Sequence, residues 1–302
     1  MNIGFIPAKA ARLAASREAL IDVHSGRRVT FGELDERVRR LGNALVAELG
    51  LAKGDRVAIL SRNCIEYMEI YYACARVGMI AQPINWRLGL EEIARILVNG
   101  APSVVITSGE YADEAAELRS HLDAPHWLSY GAGGDGSYDA LLAASPDTEP
   151  AVSAEIGGHD PTLILYTGGT TGESKGALHT HHSLYMGMIN QTVAERVVPS
   201  DVYMLTGQMF HIPVALGMNY HAHGCPMVLI NFDARLALET IERERVSAFL
   251  GITTMLNWMM ADEKFDQFDL SSLRNIQYGG GPMPHSVVEA ALSAFPCTII
   301  QG

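Results

Sequence analysis

Four cysteines in 302 residues, none in a Cys-x-x-Cys pair, leave this chain without a disulfide framework or a zinc-finger spacing. Cys64, Cys74, Cys225 and Cys297 lie inside apolar segments and read as buried, reduced thiols of a cytoplasmic protein. Lysine and arginine number 22 against 34 acidic residues, a net charge of −12, and no basic run occurs, which argues against a nucleic-acid partner. No uninterrupted apolar span reaches about 18 residues, so no transmembrane helix is expected. Met1–Pro7 lacks the basic start and long apolar run of a signal peptide. Internal repeats and low-complexity segments are absent too. What is abundant is apolar: 48% of the residues, enough for a large core and against disorder. The length suggests roughly two domain-sized lobes.

One ordered cluster stands out. The apolar run Pro161–Leu165 reads as a buried strand, and it breaks into Tyr166-Thr167-Gly168-Gly169-Thr170-Thr171-Gly172-Glu173-Ser174-Lys175-Gly176 before a second apolar piece, Ala177-Leu178. Glycine allows positive φ and close approach to an anion. Successive amide N–H groups then form a concave donor surface. The hydroxyls of Thr167, Thr170, Thr171 and Ser174 add donors, and Lys175 adds a mobile positive charge. This is a phosphate cradle. A Walker loop would need Gly where Ser174 stands, and no Gly-x-Gly-x-x-Gly dinucleotide fingerprint is present.

Helical and strand patterns alternate along the chain. Helices are expected over Ala8–Glu18, Phe31–Leu49, Ile65–Val77, Leu90–Asn99, Val214–His223 and Ala234–Arg245. Strands are expected at Leu20–Val23, Arg56–Leu60, Met79–Gln82, Ser103–Thr107, Pro226–Ile230 and Ala248–Gly251. Short strands separated by helices mark a doubly wound parallel α/β sheet. Residues 131–160, rich in glycine and proline, read as loop and as the boundary between an α/β unit at 1–150 and a second at 151–302.

The loop order resembles the signature of the adenylate-forming superfamily: acyl- and aryl-CoA synthetases, firefly luciferase and peptide-synthetase adenylation domains. That signature runs Tyr/Phe-Thr-Ser-Gly-Thr/Ser-Thr-Gly-x-Pro-Lys-Gly. Eight of its ten specified positions match, with Gly168 for Ser and Ser174 for Pro. The first departure removes a hydroxyl, and the second frees the backbone before Lys175. Val29–Leu34, Gly54–Ala58 and Gly78…Gln82-Pro83-Ile84-Asn85 resemble structural landmarks of the same family. Phe210-His211 resembles its Phe-His pair beside the acyl site, and Gly251–Leu256 the segment opening the acyl pocket, with Thr253 where Pro is usual. Met255, Trp258 and Met259 line that pocket or are plain core. Tyr278-Gly279-Gly280-Gly281-Pro282 resembles the strand-end loop that lies against adenine, at the carboxyl end of a strand where α/β sheets bind ligands. His221 and His223 match no motif.

The resemblance implies two packed doubly wound sheets flanked by helices, with the family's β-barrel and C-terminal domain outside these residues. Cys297–Gly302 leads into the motif Gln-Gly-Tyr-Gly-x-Thr-Glu and stops after Gln301-Gly302. A fragment of a longer enzyme, not competent alone, is therefore expected. The implied parent reaction joins ATP and a carboxylic acid as acyl-adenylate, then passes the acyl group to coenzyme A. In that scheme Lys175 and His211 are the catalytic candidates. Thr167, Gly168, Gly169, Thr170, Thr171, Gly172, Ser174 and Lys175 hold phosphate, and Gly279, Gly280, Gly281, Pro282, Gln301 and Gly302 complete the nucleotide site. Mg²⁺ bridges phosphates, with no metal ligand among these residues. Alternatives are an enzyme loading a carrier protein or a non-catalytic nucleotide-binding module, and a homodimer is left open.

Overall fold

The computed structural model describes residues 1–167 and 174–302. Its strands are β1 (Glu18–Asp22), β2 (Arg28–Thr30), β3 (Arg56–Leu60), β4 (Ile80–Pro83), β5 (Val104–Ser108), β6 (His126–Tyr130), β7 (Pro161–Thr167), β8 (Lys175–Thr180), β9 (Tyr203–Leu205), β10 (Met227–Leu229), β11 (Ala248–Leu250), β12 (Asn275–Tyr278) and β13 (Thr298–Gln301). The helices are α1 (Ile6–Ala14), α2 (Phe31–Asn43), α3 (Ile65–Val77), α4 (Leu90–Gly100), α5 (Ala112–Leu118), α6 (Ser137–Ala144), α7 (His181–Glu195), α8 (Pro213–Ala222), α9 (Ala234–Glu244), α10 (Thr253–Met260) and α11 (His285–Ala294).

Sheet A has the order β13-β12-β11-β9-β10-β1-β2 and sheet B the order β6-β5-β3-β4-β7-β8. Both are parallel except at one edge, where β2 and β8 run antiparallel to their neighbours. The expected sheets are thus mixed. Neither is confined to one side of residue 150, because β1 pairs with β10 (Leu20 opposite Met227) and β4 with β7 (Ala81 opposite Leu163). The largest apolar cluster joins Leu205 and Met227 of sheet A to Ile59 and Ile106 of sheet B through α2, α3, α7 and α8. A second cluster covers the outer face of sheet A under α9, α10 and α11, and a third lies under α4 and α5 outside sheet B. The result is five layers, α/β/α/β/α.

Local chemistry explains the elements. Thr30 and Glu33 form a capping box on α2: the Glu33 amide donates to Thr30 Oγ1 (3.2 Å) and the Thr30 amide to Glu33 Oε2 (2.8 Å). Every residue of α3 is buried, and Gly78 (φ 81°) ends it in a left-handed turn. Its charges are paired. Glu69 accepts from Arg37 Nε (2.5 Å), Arg37 Nη2 (3.0 Å) and the Tyr138 hydroxyl (2.8 Å), while burial pushes its pKa up against the pull of Arg37. Arg76 Nη1 donates to Asp35 Oδ1 at 2.8 Å, and Arg76 Nε pairs with Glu149 at 3.3 Å without hydrogen-bond alignment. The Arg56 guanidinium caps α4 through the carbonyls of Gly100 (2.8 Å) and Ala101 (2.5 Å).

Several expectations shift. The first helix ends at Ala14, and Glu18 opens β1 rather than closing a helix. The long helix from Phe31 widens into a π-turn over Ala44–Glu48. The stretch 131–160 contains α6 and a 3₁₀ segment, Ala151–Glu155, so it is less loop-like than its glycines imply. All four cysteines are free, and burial raises the thiols of Cys64 and Cys225 to about 12. No described helix is long and apolar enough to cross a membrane.

Candidate nucleotide-binding edge

The parallel strands of each sheet present their carboxyl ends to a common edge, and Asn63 ties the sheets together there. Asn63, just past β3, is 5% exposed. Its Nδ2 donates to the carbonyls of Gly207 (2.8 Å) and Ile230 (3.0 Å), and its Oδ1 accepts from the Met209 amide (2.8 Å). Its own amide donates to Asn231 Oδ1 at 3.2 Å. The strand ends after β9 and β10 are thereby fixed to sheet B.

The loop after β9 carries His211. Met209 is buried, and its carbonyl accepts from the Tyr71 hydroxyl at 2.6 Å. Trp86, after β4, donates Nε1 to Gln208 Oε1 (3.1 Å) and meets the edge of Phe210 at 6.5 Å between ring centres. Arg62 and Arg87 stand over the Trp86 ring at 4.9 and 5.0 Å. His211 itself is exposed, and α8 starts two residues later, so the expected helix-start position holds with a short turn between.

β7 and β8 form a hairpin whose last pair is Thr167 opposite Lys175. Thr167 Oγ1 donates to the Lys175 carbonyl at 3.4 Å, and Tyr166 donates its hydroxyl to Asn99 Oδ1 at 2.7 Å. Lys175 is exposed and Ser174 half-buried. A Cβ at Gly176 would lie 2.6 Å from Ile164 Cδ1, so a larger residue there would have to displace that side chain. Gly168, Gly169, Thr170, Thr171 and Gly172 lie outside the described residues. The loop therefore joins two antiparallel strands rather than a strand and a helix. A cavity of about 760 Å³ lined by Glu91, Glu92, Arg95 and Glu117 reaches Ser174, but its acidic lining suits no polyphosphate.

Gly279, Gly280, Gly281 and Pro282 follow β12 and line a cavity of about 250 Å³ with Ile252, Thr253, Thr254, Tyr278 and Met283. Gly280 has φ +75°, and Gly279 faces the Gly302 carbonyl, 3.3 Å from where a Cβ would stand. The Gly302 amide donates to the Tyr278 carbonyl (2.9 Å), and the Tyr278 hydroxyl to Gln301 Oε1 (3.0 Å). Gln301 and Gly302 thus sit beside the glycine loop. Leu256 and Met259 pack into the outer cluster, whereas Trp258 is 61% exposed. His221 is a core residue, held by the Tyr72 hydroxyl and the Ala19 carbonyl at 2.9 Å each, and burial lowers its pKa to about 4. His223 Nε2 meets Thr192 Oγ1 at 3.0 Å. Sequence reasoning missed Asn63 and Trp86; the only local signal was a polar or aromatic residue directly after an apolar strand.

Two sheets with helices between them, and a glycine loop at the shared carboxyl edge, are the architecture of the N-terminal domain of adenylate-forming enzymes. The profile of the AMP-binding enzyme family matches residues 7–302, and the chain belongs to that family. It is 32% identical over 303 residues to a long-chain-fatty-acid–CoA ligase of Mycobacterium tuberculosis, covering 100% of this chain and 59% of the relative. It is 34% identical over 287 residues to a feruloyl-CoA synthase of Amycolatopsis, covering 94% of this chain and 55% of the relative. Among solved structures, the inhibitor-bound N-terminal domain of FACL13 from Mycobacterium tuberculosis superposes with a TM-score of 0.91 at 30% identity, over 100% of this chain and 75% of that one. The chain spans less than two thirds of the length of these curated relatives.

Proposed function

We propose that this chain supplies the nucleotide- and acyl-binding face of an AMP-forming carboxylate–CoA ligase working in the cytoplasm. The observation that carries the reading is the alignment of three features on one carboxyl edge: the β7–β8 hairpin, the His211 loop, and the glycine loop after β12 with Gln301-Gly302 beside it. A carboxylate is a poor electrophile because its charge is delocalised and its oxide leaves badly. Transfer to AMP cures both faults, and the protein's part is to position the reactants and neutralise charge as pyrophosphate departs. In this scheme Lys175 and the hydroxyls of Thr167, Thr170, Thr171 and Ser174 grip phosphate, and Gly279–Pro282 offers a flat backbone to adenine. His211 borders the carboxylate, and coenzyme A then takes the acyl group. Magnesium would supply charge neutralisation on the phosphates as pyrophosphate leaves.

The test is pyrophosphate release by the protein carrying this chain at its full natural length, dependent on ATP, a carboxylic acid and Mg²⁺. Lys175→Ala and Thr170→Ala should each reduce it at least a hundredfold, on the scale of a lost charge-stabilising contact. Unchanged turnover in both variants would overturn the assignment. Supplying coenzyme A or a phosphopantetheinyl carrier protein distinguishes the acceptors; one relative, 28% identical, is a fatty acid–[acyl-carrier-protein] ligase of Streptomyces coeruleorubidus.

A further inference from the structure

The loop between β9 and α8 is anchored along its backbone. Asn63 holds the Gly207 carbonyl and the Met209 amide, and the Tyr71 hydroxyl holds the Met209 carbonyl. The His211 amide donates to the Gln208 carbonyl at 3.1 Å, closing a β-turn whose end Cα atoms stand within about 7 Å. The Val214 amide donates to the His211 carbonyl at 3.3 Å and leads into α8. The path of the chain is therefore supported without the side-chain bond from Trp86 Nε1 to Gln208 Oε1 at 3.1 Å.

That bond sets the orientation of an amide. An indole can only donate, so it takes the oxygen of Gln208 and leaves Nε2, on the same carbon, for another partner. The indole is itself held. Arg62 and Arg87 stand over its ring, Phe210 meets it edge-on, and Arg62 is tied to Glu110 at 3.2 Å. Trp86 and Gln208 are half-buried and His211 is exposed, so amide and imidazole belong to one turn at the rim of the carboxyl edge.

A neutral donor suits a carboxylate that must act as a nucleophile. A guanidinium or ammonium would hold the acid as an ion pair and draw off the charge that attacks phosphorus, stabilising the ground state more than the transition state. An amide N–H orients one oxygen and leaves the other its charge. We propose that Gln208 Nε2 donates to the substrate carboxylate beside His211, and that Trp86 is the positioning residue that keeps the amide in its donating orientation. The inference rests on the nucleotide-and-acyl reading of the edge above.

The test is steady-state kinetics of pyrophosphate release by the protein at its full natural length. The substrates are ATP and whichever of a series of straight-chain alkanoates, benzoate and 4-hydroxycinnamate is turned over fastest. Gln208→Met keeps the length and loses the amide. It should lower kcat/KM for the acid about ten- to a hundredfold, the scale of a hydrogen bond to a charged group, with KM for ATP changed less than about twofold. Trp86→Phe keeps a ring under the arginines and loses the N–H, and should lower the same constant about three- to tenfold. In the double variant there is no amide left to orient, so its loss should equal that of Gln208→Met alone. Thermal midpoints should hardly move, since the backbone anchors remain. An acid constant untouched by Gln208→Met, or losses that multiply in the double variant, would overturn the proposal. So would acid and ATP constants that worsen together with a falling midpoint, which would make the pair a support for the fold alone. No pyrophosphate release by the unaltered protein with any of these acids would instead overturn the carboxylate-ligase reading beneath it.

Discussion

Asn63 offers the sharpest test of how the two sheets are held in register. Asn63→Ala strips partners from three buried backbone groups, the carbonyls of Gly207 and Ile230 and the amide of Met209. Each buried group left unpartnered costs about 1–3 kcal/mol, with some relief if water enters. The expected loss is therefore roughly 3–5 kcal/mol, a large part of the 5–15 kcal/mol typical of a folded domain. Asn63→Asp keeps the shape and the acceptor but replaces the twice-donating Nδ2 by one oxygen facing two carbonyls. The folded-state pKa of that new carboxyl must rise above the unfolded value of about 3.9. The added penalty is thus absent below that value and grows as pH climbs through the raised one. The aspartate variant should therefore be less stable than the alanine variant at pH 7 and recover in acid. Urea unfolding gives the free energies, and hydrogen exchange at the Met209 amide reports the clamp directly. A loss below about 1 kcal/mol in both variants, with Met209 still protected, would refute the reasoning.

Other outcomes follow from single residues. Burial lowers His221 to about 4 from an unfolded value near 6.5, so its neutral form is favoured by folding. Stability is then complete above pH 6.5 and lost as pH falls toward 4, by about 3 kcal/mol; urea midpoints against pH should show this, with a shallower limb in His221→Gln. His181, also lowered to about 4 by burial, adds to the same slope. A Cβ at Gly280 would meet nothing within 4 Å, so Gly280→Ala should lose only the roughly 1–2 kcal/mol of a left-handed backbone. A thermal midpoint unchanged by Gly280→Ala would mean the loop does not hold that conformation.

Much of the frame was legible because it is local. α3 begins and ends where its apolar run and Gly78 say, β3 matches Arg56–Leu60, and the capping box explains why Thr30 and Glu33 stand three apart. What failed was non-local or a competition between weak signals. The helix-forming residues up to Glu18 gave no warning that β1 would claim that end through its pairing with β2. The glycines at 131–136 masked α6 behind a loop-like composition. Nothing near β8 announced an antiparallel return, since its partner is chosen across the loop rather than within the strand. The glycine loop after β12 was visible as a motif. Asn63 and Trp86 were not, because their meaning lies in groups far away in sequence.

The pairing of β1 with β10 has a consequence for synthesis. Leu20 leaves the ribosome long before Met227, its partner across the sheet. At about 5–20 residues per second the first hairpin waits roughly ten to forty seconds for the strand that completes it. Sheet B, drawn from residues 56–180, can close meanwhile. The apolar faces of β1 and α2 are thus the surfaces most in need of a holding chaperone while the rest of the polypeptide is made.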